Sequence, residues 1–344
     1  MNFRFPWILG IFGLLAAPFL FIPLTVQAAS EFTSQVYAGL HKVSAIDTQH
    51  FTLEFSAETG RGADLDRDNI PDLVERAAEY AEWSWDKEVK ELGFPNPLEQ
   101  YNAFAPTVNQ EKIFVILDDL ETYLREGSVG ATSILPDGSL FMAVDPANSD
   151  PIMKVTMAHE FLHVIQFSYQ GDFMGYDHDL NFAEQTAVAI EDYVYDDVND
   201  YWNYLHHFLD YPDFSVFTGV IPEESLFEYG LGLWPRFVVE YLDDDWSFLV
   251  KLIEAYFDES VPDLWDSYEA YDKVLREEYD TTVSETYIDF ALTNYLRGYE
   301  EGENYPDVFI HATHAADAYP VVAAEVAADQ VPALFGTNYL QFEV

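Results

Sequence analysis

The apolar positions of the chain follow two periods. Residues 50–56 alternate between apolar and polar side chains, and residues 112–117 and 139–144 read as strands in the same way. Between them, Val74, Ala78, Ala81, Trp85 and Leu92 recur at helical spacing, and that helix closes at Gly93 with Pro95 just beyond. After residue 150 the period is almost wholly helical. It predicts helices around 154–166 and 181–195, then near 229–242, 263–279 and 284–297, with Pro235 kinking the third of these. Residues 336–344 alternate again, as a last strand with no partner close in sequence. Such a strand pairs back with the first sheet or begins a further β domain. The expected fold class is α+β: a small mixed β-sheet part over 29–150 with an edge strand, a mostly helical part over 151–330, and a terminal strand over 331–344.

Residues 1–28 stand apart. Arg4 precedes an apolar run from Pro6 to Leu24, and Val26-Gln27-Ala28 places small residues where a signal peptidase reads them. The expectation is an export signal removed after Ala28. The protein would then be secreted, whether free or associated with the cell surface, with no stable membrane insertion after cleavage. The alternative is a permanent anchor, since the run approaches spanning length.

The chemistry concentrates in the first two long helices. His159-Glu160-Phe161-Leu162-His163 puts two imidazoles four residues apart on one helical face, where both can grip a single metal ion, with Glu160 beside them as a base. A catalytic zinc ion takes three protein ligands and keeps one position for water. Glu184, 21 residues beyond His163 and on the next predicted helix, is the candidate third ligand. Glu191 and Asp192, later on that helix, are the nearest acidic groups able to orient the histidines from behind. His206 and His207, being adjacent, are expected to diverge to different faces and to form no metal pair.

These segments, together with Glu228-Tyr229-Gly230-Leu231-Gly232, resemble the gluzincin zinc peptidases, which include thermolysin-like and aminopeptidase-N-like enzymes, and within them a group of secreted bacterial metalloproteases. The resemblance covers most of the chain after about residue 50. It implies zinc held by His159, His163 and Glu184, Glu160 as general base, and Tyr229 as the oxyanion donor, because Tyr229 and Gly232 repeat a Tyr-x-x-Gly context. It also implies that the strand before the zinc helix, read as 140–144, is an edge to which extended substrate pairs. Two features do not carry over. Thermolysin-like enzymes place an aspartate four residues after the zinc glutamate, where this chain has Val188. The acidic element that holds a substrate amino terminus in aminopeptidases is missing too, since residues 127–145 contain no glutamate. Endopeptidase action on a protein or peptide substrate is therefore favoured.

A second cation site is expected at residues 64–75. With Asp64 as the first position of an EF-hand-like loop, Asp66, Asp68, Asp72 and Glu75 fall at the oxygen-ligand positions and Ile70 supplies its carbonyl. Asn69 replaces the usual glycine, and asparagine tolerates a left-handed backbone better than most residues. Calcium bound there would be structural. A staple of this kind suits an exported chain without a single cysteine.

Composition narrows the partners further. Apolar residues make up 49% and aromatics 17%, enough for a sizeable core, yet 62 acidic residues face only 15 lysines and arginines, for a formal charge of −47. Such a field repels nucleic acid and attracts cations. Gly-rich phosphate loops and basic aromatic patches are missing, so nucleotide and nucleic-acid functions have no support. The competing function is a calcium-loaded surface or adhesion protein whose zinc site is structural or vestigial. Glu160 argues against it, since a structural site needs no base beside the metal.

Overall fold

The computed structural model describes residues 44–343 apart from 123, 125–126, 171–176, 218–221, 223–224, 259–266, 316–326 and 329–330, with backbone alone at 122, 170, 177–179 and 315. The export segment expected at residues 1–28 lies outside the described residues. Among the described residues, no helix is long and apolar enough to cross a membrane. The fold is α+β, as the two periods predict. Contacts divide it into two compact units: Met1–Tyr176 with Ile190–Asn199, and Asp177–Ala189 with Asp200–Val344.

The first unit is built on a five-stranded mixed sheet. Its strands are β1 (Ser44–Asp47), β2 (Phe51–Phe55), β3 (Ile113–Leu117), β4 (Gly130–Ile134) and β5 (Leu140–Val144), in spatial order β1-β2-β3-β5-β4. The central pairs β2/β3 and β3/β5 are parallel, while β1 and β4 add antiparallel at the edges. Strands covered on both faces are near-continuously apolar, which is why Ile113 to Leu117 and Leu140 to Val144 scarcely alternate. The edge role that the gluzincin resemblance implies for residues 140–144 is corrected: β5 is interior, and the last strand in the order is β4. Gly-Ala-Thr-Ser-Ile carries neither alternation nor strong strand propensity, so periodicity could not reveal it.

Helix α1 (Asp72–Trp85) runs on through a π-helical stretch, Asp86–Leu92, and stops at left-handed Gly93 (φ 102°). A short α2 (Pro97–Phe104) follows, capped by the Asn96 side chain. The long α3 (Asp150–Gln170) carries both histidines and packs on α1, α2, β4 and β5. Phe161 holds it down, its ring centroid 5.6 Å from those of Phe51 and Trp85. Because α3 lies on the sheet, the compact units divide after Tyr176 rather than at residue 150.

The second unit is helical and aromatic. Its elements are α4 (Asp177–Val194), whose last residues from Ile190 belong to the first unit, then α5 (Leu205–Leu209), α6 (Phe227–Gly230), α7 (Leu233–Tyr241), α8 (Ser247–Tyr256), α9 (Ser267–Tyr279) and α10 (Val283–Leu296). The single helix expected at 229–242 is two: the chain turns at Leu231–Gly232, and Pro235 sits in the first turn of α7, where its missing N–H leaves no hydrogen bond unmade. Fully buried Trp234 anchors this core among Phe217, Phe237, Tyr271 and Phe290. Two glycines let the helices close up. A Cβ at Gly230 would meet the Tyr204 carbonyl at 2.8 Å, and one at Gly232 would meet Val188 at 2.5 Å.

The terminal strand β7 (Tyr339–Glu343) does not return to the first sheet. It pairs in parallel with β6 (Ile310–Ala315), a strand whose Ile-His-Ala-Thr-His-Ala composition hides it from propensity. His206 and His207 do not diverge either: their ring centroids lie 3.9 Å apart in the five-residue α5. Burial, and then the neighbouring His206, pulls the His207 pKa down to about 4.

Candidate metal centre

The four-residue spacing of His159 and His163 on α3 brings their Nε2 atoms to 3.0 Å from each other. What each ring does on its far side decides the meaning of that approach. His159 Nδ1 lies 2.7 Å from Glu191 Oε1, and His163 Nδ1 lies 2.8 Å from Gln166 Oε1. A carboxylate and an amide oxygen can only accept here, so both Nδ1 atoms carry the proton and donate outward. In two neutral rings the Nε2 lone pairs would then face each other, an approach relieved by a shared cation or by a second proton on one ring.

The third group is Glu184. Its carboxylate and the two imidazoles offer ligand atoms all within 4.8 Å of one another, and all three side chains are buried. Glu184 and Glu191 stand seven residues apart on α4, hence on one helical face, so the helix that supplies Glu191 to His159 also presents Glu184. The donor set suits zinc. A tetrahedral ion with metal–nitrogen distances of about 2.0–2.1 Å would hold two nitrogens about 3.3 Å apart, close to the separation found. Two neutral imidazoles and a carboxylate also leave one coordination position open.

Glu160 is fully buried one residue from His159, and its Oε2 accepts a hydrogen bond of 2.7 Å from Thr132 Oγ1 on β4. Asp192 is buried next to Glu191 in sequence. Tyr229, on α6, is buried with its ring 5.5 Å from that of Tyr204.

Three contributors escape the sequence reading. Gln166 follows His163 by three residues and so shares its helical face, a signal that was legible. Thr132 lies 28 residues from Glu160 in sequence, and only folding joins them. Glu88 sits in the π-helical stretch, fully buried, with no hydrogen bond to either carboxylate oxygen among the described residues. Its desolvation pushes the carboxyl well above the ordinary range, against a smaller opposing pull from His159. Its signal was also present: position 88 falls on the apolar stripe between Trp85 and Leu92.

The acidic loop is built differently. Asp64, Asp66 and Asp68 bring carboxylate oxygens within 4.8 Å of one another on a mostly exposed turn. Backbone amides hold them: Asp64 accepts from Arg67 and Asn69 (2.7 and 3.1 Å), Asp66 from Asp68 (3.2 Å) and Asp68 from Ile70 (2.8 Å). Asp72 accepts instead from the Leu65 amide at 2.9 Å. Asn69 takes the left-handed backbone its type allows, at φ 75°. Partial desolvation, followed by repulsion from the four aspartates, raises the Glu75 carboxyl above its usual range.

Comparison with protein-family models finds no match, and neither does comparison with curated proteins. The site is thus described by its own side chains: a buried pair of histidines and a buried glutamate whose ligand atoms lie close enough to hold a metal ion.

Proposed function

We propose that this protein is a zinc-dependent peptide hydrolase of gluzincin type, acting as an endopeptidase on protein or peptide substrates. The observation that carries the reading is the pair of Nε2 atoms facing each other at 3.0 Å, each Nδ1 set against an oxygen of Glu191 or Gln166, with Glu184 close enough to share an ion. His159, His163 and Glu184 would hold the ion. The chemistry supplied by bound zinc is Lewis acidity, which lowers the pKa of water toward neutrality and polarises a carbonyl.

The remaining work falls to the chain. Glu191 and Gln166 keep the imidazoles in the tautomer that presents Nε2 inward, and the charge of Glu191 raises the basicity of His159. Glu160 takes a proton from the attacking water and returns it to the departing amine nitrogen. Tyr229 is the candidate donor to the oxyanion, a role supported by its Tyr-x-x-Gly context alone. The loop from Asp64 to Glu75 is assigned a structural calcium ion, which would relieve the repulsion among its carboxylates. Export through residues 1–28 would place the enzyme outside the cell.

Replacing Glu160 with Gln tests the reading. It keeps size and polarity but removes the base, so purified variant should retain zinc while hydrolysis of an unfolded protein falls by about 10²- to 10⁴-fold. A variant as fast as wild type would falsify the mechanism.

A further inference from the structure

The general base assigned above is held by a strand. β4 passes α3 at Glu160, and Thr132 Oγ1 lies 2.7 Å from Glu160 Oε2 and 3.0 Å from the backbone oxygen of the same residue. Thr132 is fully buried, so its hydroxyl has been drawn out of water to meet this one glutamate. Two residues earlier, on the same face of the strand, Gly130 leaves the space the glutamate fills. A Cβ at position 130 would come within 2.6 Å of Glu160 Oε1, 2.9 Å of its Cγ and 2.5 Å of Thr156 Cγ2. Backbone freedom does not explain this glycine. Gly127 and Gly138 nearby take positive φ (86° and 92°), whereas Gly130 does not. What position 130 requires is the absence of a side chain.

We propose that β4 is a mould for the base, in which Thr132 tethers one carboxylate oxygen and Gly130 makes room for the other. Both act as positioning residues through Glu160, and the inference rests on Glu160 being the base. A glutamate side chain has several rotatable bonds, and a base that must find its rotamer anew in each turnover loses rate. Here folding has already selected the rotamer.

The decisive variants are at position 132. Thr132→Val keeps the shape and deletes the hydroxyl. On an unfolded protein substrate it should lower kcat by about 10- to 100-fold, with KM and zinc per chain within about twofold of wild type. Thr132→Ser restores the hydroxyl and should return kcat to within about threefold of wild type. Gly130→Ala should lower kcat at least as far as Thr132→Val. A Thr132→Val or Gly130→Ala enzyme with wild-type kcat overturns the proposal, and so does a Thr132→Val loss that Thr132→Ser does not restore, because a packing defect alone would behave that way. Glu160→Gln, measured in parallel, separates the two failures. If Glu160→Gln hydrolyses at the wild-type rate, the assignment of the base has failed and the mould with it. If Glu160→Gln is inactive while Thr132→Val runs at full rate, the mould alone has failed.

Discussion

The buried centre on α3 and α4 and the exposed loop ahead of α1 both gather carboxylates, but they are held by different parts of the chain. In the loop, every hydrogen bond to Asp64, Asp66 and Asp68 named above comes from a backbone amide at most five residues away. At the centre, Glu191 reaches His159 across 32 residues of sequence and Thr132 reaches Glu160 across 28. The loop organises itself, and its charge stays in water. The centre exists only once the sheet and two long helices are assembled, and it gathers buried polar groups in an interior where an unmade bond is costly. The two sites should accordingly fail independently and respond to different treatments.

The sharpest separation is by substitution at each site. His163→Ala should lose zinc and hydrolysis together, by orders of magnitude, while millimolar calcium still raises the melting temperature. Asp64→Ala combined with Glu75→Ala should abolish the calcium-dependent rise and leave zinc content and low-temperature hydrolysis as in wild type. Metal analysis and calorimetry on both variants check this. One variant that silences both responses would break the comparison.

A smaller effect is expected behind the histidine. Glu191→Gln leaves an oxygen able to accept from His159 Nδ1 but removes the negative charge, so zinc affinity, read by competition with a chelating dye, should weaken about 10- to 100-fold. An unchanged affinity would mean that the charge of Glu191 does not tune the ligand.

The smallest effect concerns Glu88, which belongs to the centre's interior but to none of its bonds. Its folded pKa is raised, so the folded state binds more protons than the unfolded one above the unfolded value of roughly 4.5. The stability contribution is therefore fully present below that value and is lost as pH rises toward the folded pKa. Glu88→Gln removes the titration, and its melting temperature should exceed that of wild type by a few degrees at pH 8 and by less at pH 5. Equal differences at both pH values would show that Glu88 is ionised in the fold.

What the chain determined by itself was local. Helical spacing put His159 and His163 on one face with Glu160 next in sequence to the first, the same spacing put Glu184 and Glu191 on one face of the next helix, and asparagine at position 69 suited the left-handed backbone it takes. These follow from periods of a few residues, which any stretch of sequence displays. The tertiary structure decided which strand is the edge, that β7 joins β6, that Glu191 serves His159, and that Gly130 and Thr132 enclose Glu160. β4 has no alternation to announce it, and its two decisive residues are a glycine and a threonine, types that occur in any loop. Their role arises from a close approach between segments far apart in the chain, and no local period encodes a distance of that kind.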